Sequence, residues 1–132
     1  MKLDDKRYQL GSFISVRGTK LAKVTGINKE GVLVEYEDNT EETVPWHYVY
    51  PLSIDVKTME LLGFKVLRKD QFAHHTEYLM DIKVNGKFYN SKGIVLKDRN
   101  IWSFNNTTVR NIHQIQSLLW IIDSSLSFNL KS

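Results

Sequence analysis

Four histidines, His47, His74, His75 and His113, are the residues of this 132-residue chain best suited to proton transfer or metal ligation. Imidazole changes charge near neutral pH, and its neutral form ligates metals. His74-His75 with Glu77 is the grouping closest to a metal cluster. Neighbouring residues of a strand point to opposite faces, so both histidines could hold one ion only from a loop. A surface pair without shared function is the preferred reading. No H-E-x-x-H, no P-loop, no G-x-G-x-x-G and no G-x-S-x-G occurs. The chain has no Cys. That excludes thiol catalysis, a disulfide framework and thiolate metal sites. No acid, base and nucleophile stand at a telling spacing, so no catalytic residue, metal or cofactor is assigned. Only convergence of dispersed residues in space could supply an activity.

Binding chemistry is better represented. Tyr36, Trp46, Tyr48 and Tyr50, with Phe13, could form an aromatic cage that holds a methylated cation by cation–π attraction. Against this, Tyr36 alternates with Val32 and Val34, which predicts core packing. Residues 35–42 contain five acids (Glu35, Glu37, Asp38, Glu41, Glu42). They would face a basic partner or form a solvated turn. Trp46 and Tyr48 with Glu41 and Glu42 are therefore candidate contacts for a protein partner. Residues 83–110 carry six basic side chains and one acid, with Phe88, Tyr89, Trp102 and Phe104 among them. Cations for phosphates beside aromatic planes for bases are the composition of a nucleic-acid surface. The candidates are Lys83, Lys87, Tyr89, Lys92, Arg99, Trp102 and Arg110. A solvated face, with counter-charges elsewhere in the fold, is the competing reading. Half of those aromatics must face the core in an alternating strand.

Bulk properties frame these candidates. The net charge is +3, but it is unevenly spread. Residues 1–62 carry eight basic and ten acidic side chains, and residues 63–132 carry ten and five. Such asymmetry can steer an anionic partner. A hydrophobic fraction of 42% and a charged fraction of 25% fit one compact globular unit, or two very small ones sharing a core. The opening MKLDDKRYQL has charges where a signal peptide needs an apolar stretch, and no segment is long and apolar enough to span a bilayer. A soluble cytoplasmic protein without a membrane partner is expected.

Residues 12–50 read as short strands. Ser12–Val16 and Leu21–Ile27 alternate. The turn 28–31 ends at Gly31, which is free to take positive φ. Val32, Val34 and Tyr36 then share one face of the clearest strand. Residues 43–50 return as a strand interrupted at Pro45, which cannot donate to a ladder. The stretch LAKVTGINKEGVLVEYEDNTEETVPWHYVYPL, with its V-x-V-x-Y strand, acidic turn and closing Tyr50-Pro51-Leu52, resembles an SH3-like barrel of the Tudor or KOW kind. The resemblance covers about a third of the chain and assigns residues 9–52 to a small β-barrel.

Residues 53–132 are expected to form an α+β segment. Asp55 should cap a short helix that Gly63 ends. Residues 64–69, 76–84, 94–96 and 101–104 read as strands, and Asn85-Gly86 is the strongest hairpin signal. A two-residue loop there pairs Val84 with Lys87 and Lys83 with Phe88, which sets apolar residues against charged ones, so a bulge or a longer loop is the other reading. Val109, Ile112, Ile115, Leu118, Leu119 and Ile122 recur at helical spacing, so a terminal helix capped by Thr107 or Thr108 is predicted. Leu61-Leu62-Gly63-Phe64 and Ile112-His113-Gln114-Ile115-Gln116 resemble two features of a family of short uncharacterised bacterial and prophage proteins. That family's helix continues into a Thr-Gly-Glu-Glu-like tail, where this chain has Asp123-Ser124-Ser125-Leu126. The resemblance implies the architecture and a mobile-element origin, and no mechanism. His113 and Gln116 have two readings: a polar recognition strip for a partner, or side chains that bond a sheet edge and fix the helix.

The expected fold is therefore α+β, with an N-terminal SH3-like barrel packed on a second antiparallel sheet and a closing helix. The expected function is a non-enzymatic module that binds a protein partner. Nucleic-acid binding through residues 83–110 is the alternative.

Overall fold

The computed structural model describes residues 8–73, 75–84, 87–90, 94–97, 101–104, 107–128 and 130. Five strands form the first sheet: β1 (Phe13–Val16), β2 (Lys20–Ile27), β3 (Gly31–Tyr36), β4 (Glu41–Pro45) and β5 (Val49–Pro51). They are antiparallel in the order β4-β3-β2-β1-β5. Pro45 ends β4, and a 3-10 turn at Trp46–Tyr48 separates it from β5. The interruption expected at Pro45 thus divides two strands, as the missing N–H requires. The outermost strands β4 and β5 are not paired with each other among the described residues, so the ladder is open where a closed barrel was expected.

The alternation in the sequence reports the burial. Ile14, Val16, Ala22, Val24, Val32, Val34 and Val44 are fully buried, and Tyr36 joins them at 6% exposure. Gly31 is free to take positive φ but does not use it. Its role is close approach: a Cβ there would stand 2.1 Å from the Val44 carbonyl oxygen across the ladder. Sterics between strands, not turn geometry, require glycine.

The chain then forms α1 (Val56–Leu61). The Asp55 carboxylate accepts the Thr58 N–H at 2.7 Å, and the Thr58 hydroxyl accepts the Asp55 N–H at 2.9 Å. This is a reciprocal capping box. Gly63, with φ of 96°, turns the chain out of the helix. The second sheet comprises β6 (Phe64–Gln71), β7 (His75–Val84), β8 (Lys87–Asn90), β9 (Ile94–Lys97), β10 (Ile101–Phe104) and β11 (Thr107–Val109). Its order is β11-β10-β9-β7-β6, with β8 also on β7. Val84 pairs with Lys87 and Lys83 with Phe88, the register a two-residue loop demands; Asn85 and Gly86 themselves lie outside the described residues.

The final helix, α2 (Ile112–Ile122), begins later than the periodicity predicts. Thr107–Val109 pairs with β10, with Val109 opposite Trp102. Val109 sits at helical spacing from Ile112 but is buried as a strand residue. Asn111, not Thr107 or Thr108, caps the helix, in a capping box with Gln114.

One core joins these parts. Phe13, Met59, Leu62, Phe64, Tyr78, Trp102, Val109, Ile112, Ile115, Leu119, Leu126 and Phe128 pack together with Ile54. β1 is buried on both faces: Ile14 and Val16 enter the first sheet's core, and Phe13 enters this one. Burying side chains of this size contributes about 1.5–3 kcal/mol each. An isolated antiparallel bridge further fastens the sheets, and the Ile112 bond is part of it. Ser53 bridges Asn111, and the Ile112 N–H donates to the Leu52 carbonyl at 2.8 Å. No helix among the described residues is long and apolar enough to cross a membrane.

Candidate functional site

The turn between β1 and β2 builds the most polar cluster of the first sheet. Arg17 takes a left-handed conformation, φ 55°, and its N–H donates to the Tyr48 carbonyl at 2.8 Å. The Arg17 guanidinium then reaches two neighbours. It donates to Glu42 Oε1 at 3.1 Å and lies 5.1 Å from the centre of the Tyr48 ring. The Tyr36 hydroxyl donates to the same Glu42 oxygen, and the Lys20 ammonium lies 3.9 Å from the Tyr36 ring. Burial, reinforced by Glu42, pushes the Tyr36 phenol up to about 12. Hydrogen bonds from Tyr36 and then Arg17 hold the Glu42 carboxyl below the usual carboxylate range. Glu42 in turn raises the Arg17 guanidinium.

This geometry answers the cage expectation. Tyr36 lies in the core, as its alternation with Val32 and Val34 predicts, and Phe13 faces the other core. The tyrosine faces are met by the chain's own cations, Lys20 on Tyr36 and Arg17 on Tyr48. Arg17 was not singled out from the sequence. Its signal was the Arg17-Gly18 pair in a tight turn, which carries positive φ at both residues.

The 3-10 turn and β5 present the exposed aromatics. Trp46, Tyr48 and Tyr50 are 36%, 40% and 48% exposed. Trp46 is held in place: its indole N–H donates to the Asn28 and Lys29 carbonyls, both at 3.1 Å, and its ring stacks on Tyr8. Glu41 is exposed beside them in sequence, and Glu42 is half-buried in the cluster above. Rigid aromatic rings of this kind supply contact area at low entropic cost.

The α2 motif is placed inside the molecule. Gln116 is fully buried. Its Oε1 accepts the Phe13 N–H at 2.8 Å, and its Nε2 donates to the Gly11 carbonyl at 3.0 Å. Gln114 Oε1 accepts the N–H groups of Arg110 and Asn111 at 2.6 and 3.1 Å. His113 is 1% exposed, with its ring 4.7 Å from that of Tyr8. His113 and Gln116, candidate partner contacts in the sequence, thus offer no surface; burial in the helix–sheet contact is the reason.

The basic segment is only partly in view. Trp102 is 5% exposed and stacks on Tyr78 with centroids 5.6 Å apart, so it offers no face to a base. This corrects its place among the nucleic-acid contacts; the alternation of β10 turns it inward. Arg110 is exposed. Lys83 lies on β7, and Lys87 and Tyr89 lie on β8. Lys92 and Arg99 lie outside the described residues, as does His74. No group of three metal-ligating side chains comes together among the described residues. A cleft at the seam between the sheets, bounded by Ile54, Ile101, Trp102 and Arg110, brings no acid–base pair together. The chain matches no family model, no curated protein and no solved structure.

Proposed function

We propose that this protein is a non-enzymatic interaction module of a phage or other mobile element, holding a protein partner on the surface formed by Trp46, Tyr48 and Tyr50 with Glu41. The observation that carries this reading is the exposure of those three aromatics on one short segment whose backbone is held at both ends. Arg17 grips the Tyr48 carbonyl, and the Trp46 indole grips the turn before β3. Tyrosine and tryptophan dominate the energetic centres of protein interfaces. The non-enzymatic reading is supported by the interior polar side chains, because Gln114 and Gln116 spend their bonds on the main chain. An SH3-like barrel is supported by the strand order β4-β3-β2-β1-β5 and by the 3-10 turn leading into β5. A cytoplasmic setting is supported by the absence of Cys.

The test is comparative capture from a bacterial lysate. The immobilised wild-type chain is set beside a Tyr48→Ser, Tyr50→Ser variant of equal thermal stability. A defined protein retained by the first and lost from the second supports the reading. Identical captures, or none, refute it.

A further inference from the structure

Two long outer strands stand away from the junction of the sheets: β4 in the first and β6 in the second; the short β8, which pairs only with β7 among the described residues, is a further edge. The outer strands β5 and β11 run into the Ser53–Asn111 bridge that joins the sheets. An outer strand points every second N–H and C=O away from its sheet, which makes it a template for another strand. The two edges differ in charge. β4 opens with Glu41 and Glu42, and the register sets Glu41 directly across from Glu35 of β3. Like charges so placed destabilise a sheet, and opposite charge on the far side of β4 relieves them. β6 carries Lys65, Arg68 and Lys69, all exposed, against the single acid Asp70. Arg68 already holds Asp70 at 2.8 Å, and Arg17 already holds Glu42. Glu41 on one edge, and Lys65 and Lys69 on the other, take no part in these two ion pairs; within its own sheet Lys65 stands across from Asp81, and the Lys69 ammonium lies 5.8 Å from the centre of the Tyr78 ring.

We propose that the chain associates head to tail with a second copy of itself, β4 of one copy adding to β6 of the next. Edges of like sign repel, so β4 against β4 and β6 against β6 are disfavoured. Among pairings of these two strands, only the mixed one brings acid against base. The contact is short, because β4 has five residues and a bulge at Leu67 divides β6. Association of this size belongs to the small, transient class. Two different patches meet, so the assembly either closes into a ring or runs on as a chain. Glu41 is shared with the proposed partner surface, while Trp46, Tyr48 and Tyr50 lie outside both edge strands.

Sedimentation velocity of the full chain, from micromolar to millimolar concentration and at low and high salt, tests it. The average mass rises with concentration and falls back at high salt. Glu41→Lys alone, and Lys65→Glu with Lys69→Glu alone, each weaken association by about tenfold or more. Mixing the two variants restores it, because both contacts then join opposite charges. All three positions are exposed, and equal thermal midpoints confirm that the variants fold. A monomer at every concentration, or association that charge reversal leaves unchanged, overturns the proposal.

Discussion

Gln116 of α2 and Phe13 of β1 stand 103 positions apart and share a buried hydrogen bond of 2.8 Å. The other end of the same amide holds the Gly11 carbonyl. One side chain thereby satisfies two main-chain groups at the entry to β1, and Phe13 itself lies in the core beneath α2. Removing the amide leaves a buried donor and a part-buried acceptor without their partner. Gln116→Ala should therefore lower unfolding free energy by about 2–4 kcal/mol, read as a shift in urea midpoint. Gln116→Glu keeps the acceptor but loses the donor and buries charge, so it should not rescue the loss.

Gly31 supplies a second stability test. Its Cα faces the Val44 carbonyl so closely that no Cβ fits without separating β3 from β4. Gly31→Ala should cost about 3 kcal/mol. Gly18→Ala, in open space but at φ 74°, should cost less, about 1 kcal/mol, from backbone strain alone. Thermal unfolding of the two variants side by side ranks them.

Much of this arrangement is legible in the sequence. The alternation of Val32, Val34 and Tyr36 locates the first core, and Asp55 with Gly63 brackets α1. The β7–β8 register is one of two that the Asn85-Gly86 signal allowed, and the ladder selects the one a two-residue loop demands. The start of α2 is not legible, because Val109 fits both a helical spacing and a strand partner for Trp102; only the ladder decides. The constraint on Gly31 is hidden for a similar reason, since it comes from a strand thirteen residues away. The pattern hydrophobe-His-Gln-hydrophobe-Gln marks residues that matter, yet recognition and packing both ask for amides there. The partner of Gln116 lies at the opposite end of the chain, where no local pattern points to it.

The Tyr36–Glu42–Arg17 cluster predicts how stability depends on pH. The Tyr36 phenol is raised in the folded chain, so its contribution is complete below about 10 and is lost as pH climbs towards about 12. Glu42 is lowered, so its contribution is complete above the ordinary carboxylate range and is lost as pH falls through the depressed value. Tyr36→Phe should flatten the alkaline limb of a midpoint-against-pH curve. Glu42→Gln should flatten part of the acid limb. Added salt should weaken the Arg17 contribution, because that ion pair is exposed.

The inward placement of Trp102 bears on nucleic acid. Fluorescence anisotropy with labelled single-stranded DNA, duplex DNA and RNA should show at most weak binding at low salt, lost at physiological salt. Binding that persists there, and that falls with Lys83→Ala, Lys87→Ala and Arg99→Ala, would move the basic segment to the front.

The most direct measurement is photocrosslinking from Tyr50, replaced by a benzophenone amino acid in the full chain expressed in bacteria. Tyr50 lies on β5 with nearly half its surface exposed, so the probe sits on the proposed contact. One discrete adduct with a protein is expected, absent when the same probe replaces exposed Lys57 on α1. No adduct at Tyr50, or the same pattern from both positions, would contradict it.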